Sequence, residues 1–147
     1  MDTASKTLII GGLLNLLYGL ATGFPLGRIR ESQAEAPKYL VLAHMGPLMW
    51  GPILLGCVAA VQLSTLSAAV ETTAAVSLVA SSALLGLKDT LHWVRGTQDE
   101  FVEKPAAFYL AIPMALLAFG GLGILLVEAI LGSQGLSNEN LRFRLRG

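Results

Sequence analysis

Four long apolar stretches organise the chain, at about 8–25, 39–63, 68–94 and 106–131. A helix needs about 20 mostly apolar residues to cross ~30 Å of hydrocarbon, and each stretch is long enough. The pattern predicts an all-α protein, an integral membrane four-helix bundle. The segments between the stretches are polar. Residues 27–38, GRIRESQAEAPK, and 95–105, RGTQDEFVEKP, carry charge and belong in water. Residues 64–67, STLS, are so few that the second and third helices must form a tight antiparallel hairpin. Residues 133–147 read as a polar tail outside the 1–132 membrane domain, either disordered or lying on headgroups. The first stretch does not read as a cleavable signal peptide. Its basic start is Lys6 alone, and three further spans come after it.

Composition sharpens this picture. The 147 residues are 54% hydrophobic and 14% charged, against roughly 25% charge in an average soluble domain. Ten Lys+Arg balance ten Asp+Glu with no basic block, which argues against nucleic acid as a main partner. The single cysteine, Cys57, excludes an intramolecular disulfide and multi-cysteine metal sites. It reads as a small buried hydrophobe. Near the helix ends, the two long connections hold Arg28, Arg30, Lys38, Arg95 and Lys104, and the opposite side holds Lys6 and the three tail arginines. Without the tail, this balance favours long connections on the cytoplasmic side of a bacterial inner membrane or its equivalent.

Candidate chemistry lies inside the spans. Pro47, Pro52 and Pro113 cannot donate to the carbonyls of Ala43, Leu48 and Tyr109, and in lipid those oxygens need another donor or a bend. Glycines in helices one, two and four allow close backbone approach. The intramembrane ionisable residues are His44, Lys88, Asp89 and His92. Antiparallel packing of helices two and three brings His44 and the 88–92 turn to one depth, flanked by Trp50 and Trp93. Ser77, Ser81, Lys88 and His92 share one stripe of helix three, with Asp89 about 80° away. Two readings stand open for each charged residue. Lys88 and His92 either snorkel to the interface or face the interior as part of a site. Asp89 either neutralises a neighbour or takes part in chemistry. Glu71 and Glu128, near helix ends, read as interfacial. His44 has no adjacent charge. It is either a hydrogen-bonded packing residue or an axial ligand to haem, for which a neutral imidazole in an apolar pocket is suited. No metal-ligand spacing, Walker loop or nucleophile elbow occurs.

The stretch AHMGPLMWG resembles the second-helix signature of the styrene oxide isomerases, approximately Ala-His-x-Gly-Pro-x-x-Asn-Gly, through Ala43, His44, Gly46, Pro47 and Gly51. The related hydroxylaminobenzene mutases have a similar helix. The likeness extends more thinly through IIGGLLNLLYGLATGF and LAIPMALLAFG, over roughly residues 7–131. The resemblance implies a homotrimer holding haem b at the subunit interface, with His44 as the iron ligand. It also implies a redox-neutral rearrangement under ferric Lewis-acid activation. Two departures matter. Trp50 stands where the family has asparagine, and the family's helix-three Asp/Tyr pair has no clean match, with Leu85 and Trp93 near those positions.

The sequence reading is therefore a haem b isomerase acting on a small apolar oxygenated substrate. His44 is the metal ligand, and Gly46, Pro47, Lys88 and His92 are candidate cofactor contacts. Asp89, Trp50 and Trp93 are candidate catalytic residues. The rival readings are a non-catalytic membrane haem protein and a small four-helix exporter. Exporters of that class use a glutamate in helix one, where this chain has only Asn15, Tyr18 and Thr22 as polar residues.

Overall fold

The structure, a computed structural model, describes the backbone of residues 1–144 and the side chains of residues 1–130. Helix α1 spans Thr3–Ser32, α2 Lys38–Gln62 and α3 Ala68–Val94. A short α4, Glu100–Glu103, and a 3-10 turn, Ala106–Leu110, lead into α5, Ala111–Arg144. Four helical segments are long and apolar enough to cross a membrane: Thr3–Ser32, Lys38–Gln62, Ala68–Val94 and Ala106–Ile130.

The ends of these helices follow local chemistry. Asp2 caps α1, its Oδ1 accepting the Ser5 N–H at 2.6 Å. The α1 helix does not stop at Pro25, as the apolar stretch suggested, but continues to Ser32. A proline removes one helical hydrogen bond, and in the run that follows Leu26, Arg28, Arg30 and Glu31 are good helix formers that carry the helix on past Gly27. Pro113 is not helix-interior as expected from the sequence. The 3-10 turn ends at Leu110, so Pro113 falls in the first turn of α5, where backbone N–H groups lack helical partners in any case. The α5 backbone continues to Arg144, so the helix runs on through most of the stretch read as a polar tail.

Helices α1, α2 and α3 pack against one another, while α5 docks on α3 and barely touches α2. The span formed by the 3-10 turn and α5 is the least buried of the four. The apolar core lies toward the hairpin end of the bundle. There Ala4, Leu8, Leu54, Val61, Ala74, Ala75, Leu78 and Leu125 are buried together. Between apolar helices in lipid, close packing rather than the hydrophobic effect holds the bundle, and the glycines make that packing possible. A Cβ at Gly51 would lie 3.1 Å from the Gly12 carbonyl oxygen, and one at Gly12 would lie 3.0 Å from the Gly51 oxygen. The α1 and α2 backbones therefore cross almost in contact. Gly121 does the same for α5, where a Cβ would lie 2.9 Å from the Ala74 oxygen of α3.

Candidate functional site

The α1–α2 crossing places His44. Pro47 has no N–H, so the Ala43 carbonyl loses its usual helical donor. Thr22 of α1 reaches that oxygen at 3.4 Å while its hydroxyl also lies 2.9 Å from the Gly19 oxygen. One residue along α2, His44 Nδ1 is 2.7 Å from the same Gly19 oxygen. A carbonyl oxygen only accepts, so Nδ1 must carry the proton and donate. In the neutral ring this leaves Nε2 as a lone pair, and no hydrogen bond to Nε2 occurs among the described residues. The ring is half-buried. Gly23 provides its clearance, since a Cβ there would lie 3.1 Å from His44 Cε1.

The other residues singled out from sequence occupy different surroundings. Gly46 lies against α3, where a Cβ would meet Leu85 at 3.4 Å. Pro47 is fully buried and faces Gly86. Trp50 packs against the apolar core, about 120° around α2 from His44. Trp93 is half-buried near the end of α3.

Lys88, Asp89 and His92 form a second centre. Lys88 Nζ donates to Glu100 Oε2 at 2.9 Å and lies 3.2 Å from Asp89 Oδ1. His92 is fully buried, with Nε2 3.2 Å from Glu100 Oε2 and Nδ1 3.4 Å from Thr97 Oγ1. The contacts of His92 Nε2 and Asp89 Oδ1 are close enough for ion pairing but lack hydrogen-bond geometry. Tyr39, at the start of α2, stacks on His92 with ring centroids 4.8 Å apart, and its hydroxyl accepts the Glu100 N–H at 3.0 Å. One lysine, two carboxylates and a titratable imidazole are thus gathered at the end of the bundle opposite the apolar core. The Pro47–Gly86 and Gly46–Leu85 approaches put His44 level with this cluster. No hydrogen bond or ion pair joins the two among the described residues, because His44 turns to α1 and Lys88 turns to α4.

Glu100 and Tyr39 were the members that sequence reasoning missed. Glu100 sits in a connection read as plain solvated loop. Asp99 Oδ1 accepts the N–H groups of Phe101 and Val102 at 2.8 and 3.3 Å, starting the turn that carries Glu100 inward. Glu103 Oε1 accepts from Gln98 N at 2.7 Å and Asp99 N at 3.0 Å. These bonds hold the Glu103 carboxyl below the usual carboxylate range, the Asp99 backbone bond contributing most. The spacing of Asp99 and Glu103 was the available signal.

Glu71 and Glu128 are both largely buried. Glu128 Oε1 accepts from the N–H and the hydroxyl of Thr65, each at 2.7 Å, which ties α5 to the hairpin turn. Two serines of α3 bond to backbone. Ser81 donates to the Met114 oxygen at 2.8 Å and Ser82 to the Val79 oxygen at 2.9 Å.

No group of three or more His, Cys, Asp or Glu side chains suited to hold a metal ion occurs among the described residues; axial ligation by one histidine requires no such group. No family model, curated protein or solved structure matches the chain.

Proposed function

We propose that the protein is a haem-dependent membrane isomerase in which His44 would hold the iron of haem b. Its substrate would be a small apolar oxygenated molecule, an epoxide rearranged to a carbonyl or an arylhydroxylamine rearranged to an aminophenol. The observation that carries this reading is the Nδ1–H bond from His44 to the Gly19 oxygen. Metal-bound histidines make this kind of second contact, which fixes the tautomer, orients the ring and raises the basicity of the ligating nitrogen. The donor chemistry fits the group: a neutral imidazole nitrogen, oriented and without a hydrogen-bond partner in the described protomer. A ferric porphyrin bound there would supply a Lewis acid toward the substrate oxygen.

The chain's own residues do the remaining work. Gly19 holds the ring through its carbonyl, and Gly23 keeps the space beside Cε1 open. Thr22 of α1 lies within 3.4 Å of the carbonyl freed by Pro47, beside the helix that carries His44. The half-buried ring sits at the protomer surface, and a flat group on it would be enclosed by a second copy. That favours an oligomer, for which the family resemblance implies a homotrimer, placed in a bacterial inner membrane or its equivalent. Lys88, Asp89 and His92 act in this reading through their own closed network with Glu100, as a charged end to the bundle.

The activity test uses haem-loaded protein, styrene oxide and phenylhydroxylamine, with products identified by mass spectrometry. The expected product has the same formula as its substrate, and His44→Ala loses the turnover. No rearrangement of either class, or turnover indifferent to His44→Ala, would refute the proposal.

A further inference from the structure

A cleft of about 550 Å³ opens between α1 and α3, on the α1 face adjacent to the one that meets His44. Its size lies within the ~300–1,000 Å³ range of small-molecule sites. Its rim is apolar and exposed, with Leu14, Leu17 and Leu87 at membrane depth, so a molecule dissolved in the bilayer can enter sideways. Four polar side chains, Asn15, Ser82, Tyr18 and Thr90, also line it. Asn15 is only 9% exposed and Ser82 only 1%.

Counting protons on these four groups shows what the cleft can still bond. The Asn15 amide has two N–H groups, and both are used, toward the Gly11 oxygen at 2.8 Å and Ser82 Oγ at 3.0 Å. The Ser82 proton goes to the Val79 oxygen at 2.9 Å. The Thr90 proton goes to the Gly86 oxygen at 2.6 Å. Tyr18 is hydrogen-bonded to Thr90, and with the Thr90 proton committed to a carbonyl, Tyr18 is the donor. Every donor is therefore spent. Asn15 Oδ1 and Tyr18 Oη keep acceptor lone pairs, and Asn15 Oδ1 receives no hydrogen bond among the described residues. That oxygen is not among the atoms sealed inside the protein without a partner.

We infer that this cleft binds a neutral, mainly apolar ring compound carrying an O–H or N–H donor, reached from the bilayer and recognised by Asn15 Oδ1 and Tyr18 Oη. An ether, epoxide or ketone of the same shape offers only acceptors and meets acceptors. The inference does not rest on the haem reading, because the cleft uses no atom of His44.

The test compares 1-naphthol with 1-methoxynaphthalene, which has the same ring system and no donor. Binding to the full chain in nanodiscs is read by equilibrium dialysis, with empty nanodiscs subtracted to remove partition into lipid. One good hydrogen bond corresponds to about a three- to tenfold preference, and 1-naphthol is expected to bind the protein at least that much more tightly. Tyr18→Phe keeps the ring and removes Oη, and should cut the preference about threefold while leaving 1-methoxynaphthalene binding unchanged. Asn15→Leu should do the same if it folds, as judged by circular dichroism; Tyr18→Phe suffices if it does not. Equal affinity of the two probes would show a greasy groove that takes acyl chains and would overturn the proposal. A naphthol preference that survives Tyr18→Phe undiminished would overturn it as well. The measurement requires no iron, so its failure is distinct from failure of the haem assignment.

Discussion

Replacing Gly51 with alanine puts a methyl group into the α1–α2 crossing. Its Cβ would lie 2.6 Å from Leu16 Cγ and 3.1 Å from the Gly12 carbonyl oxygen. The leucine can rotate aside, but the carbonyl moves only if the helix moves. Overpacking of this kind costs about 1–3 kcal/mol. Alanine's intrinsic helix advantage over glycine, up to about 1 kcal/mol, offsets part of that. A net loss of about 1–2 kcal/mol follows, or a change of roughly 5–30-fold in the folded-to-unfolded ratio. Gly56 is the control, since a Cβ there meets nothing within 4 Å, and Gly56→Ala should be neutral or slightly stabilising. The reciprocal change, Gly12→Ala, presses on the same pair of backbones, with a Cβ 3.0 Å from the Gly51 oxygen. One separation of the helices relieves both clashes, so the double variant should cost less than the sum of the singles. Reversible unfolding in mixed detergent–SDS micelles, followed by circular dichroism, reads the four variants against the parent. Gly51→Ala as stable as Gly56→Ala, or strictly additive penalties, would refute the backbone-contact argument.

The charged end of the bundle makes two more predictions. Glu100→Ala removes the carboxylate that accepts from Lys88 and lies 3.2 Å from His92 Nε2. Breaking a buried pair costs about 3–5 kcal/mol, and the same unfolding assay should show a loss near the lower bound because Asp89 still faces Lys88; a loss below about 1 kcal/mol would mean the pair is screened. Glu103 is held below its ordinary value of 4.5 by the Asp99 and Gln98 amides, so its cap is fully made above that value and is lost as pH falls through the lower folded one. Hydrogen exchange at the Gln98 and Asp99 amides should therefore lose protection on acidification through that window, and Glu103→Gln should remove the dependence; protection that does not change with pH in the parent would contradict the cap.

Much of the fold was legible because span length and loop polarity are strong signals. The STLS turn sets the α2–α3 hairpin, and the start and end of α3 at Ala68 and Val94 coincide with its apolar stretch. The need of the Ala43 oxygen for a new partner beside Pro47 was legible, but not that the nearest hydroxyl, Thr22 at 3.4 Å, has its single proton closer to the Gly19 and Tyr18 oxygens, at 2.9 and 3.1 Å. The continuation of α1 past Pro25 was not, because one proline in an otherwise helical run costs a bond without forcing a break. His44 stood out from its apolar neighbours, but the tautomer depends on the Gly19 carbonyl, which no pattern in the sequence assigns. Glu100 was hidden for a related reason: a charged residue in a polar loop looks solvated until the loop folds back onto Lys88 and His92. Trp50 was legible as a large residue near His44 in sequence, yet the helical rotation between them turns it into the core. The acceptor-only cleft depends on where Asn15 and Tyr18 send their protons across to α3, and spacing along α1 carries no record of that.

The central claim is that the His44 Nε2 lone pair, set by the Nδ1–H bond to Gly19, ligates haem iron. The most direct measurement is the absorbance spectrum of the detergent-purified protein after expression with haem supply, taken beside His44→Ala of matched helical content. The account predicts a Soret band with near-stoichiometric haem in the parent and its loss in His44→Ala with the helices intact. A parent protein without a Soret band, or His44→Ala with the same band and stoichiometry, would contradict it.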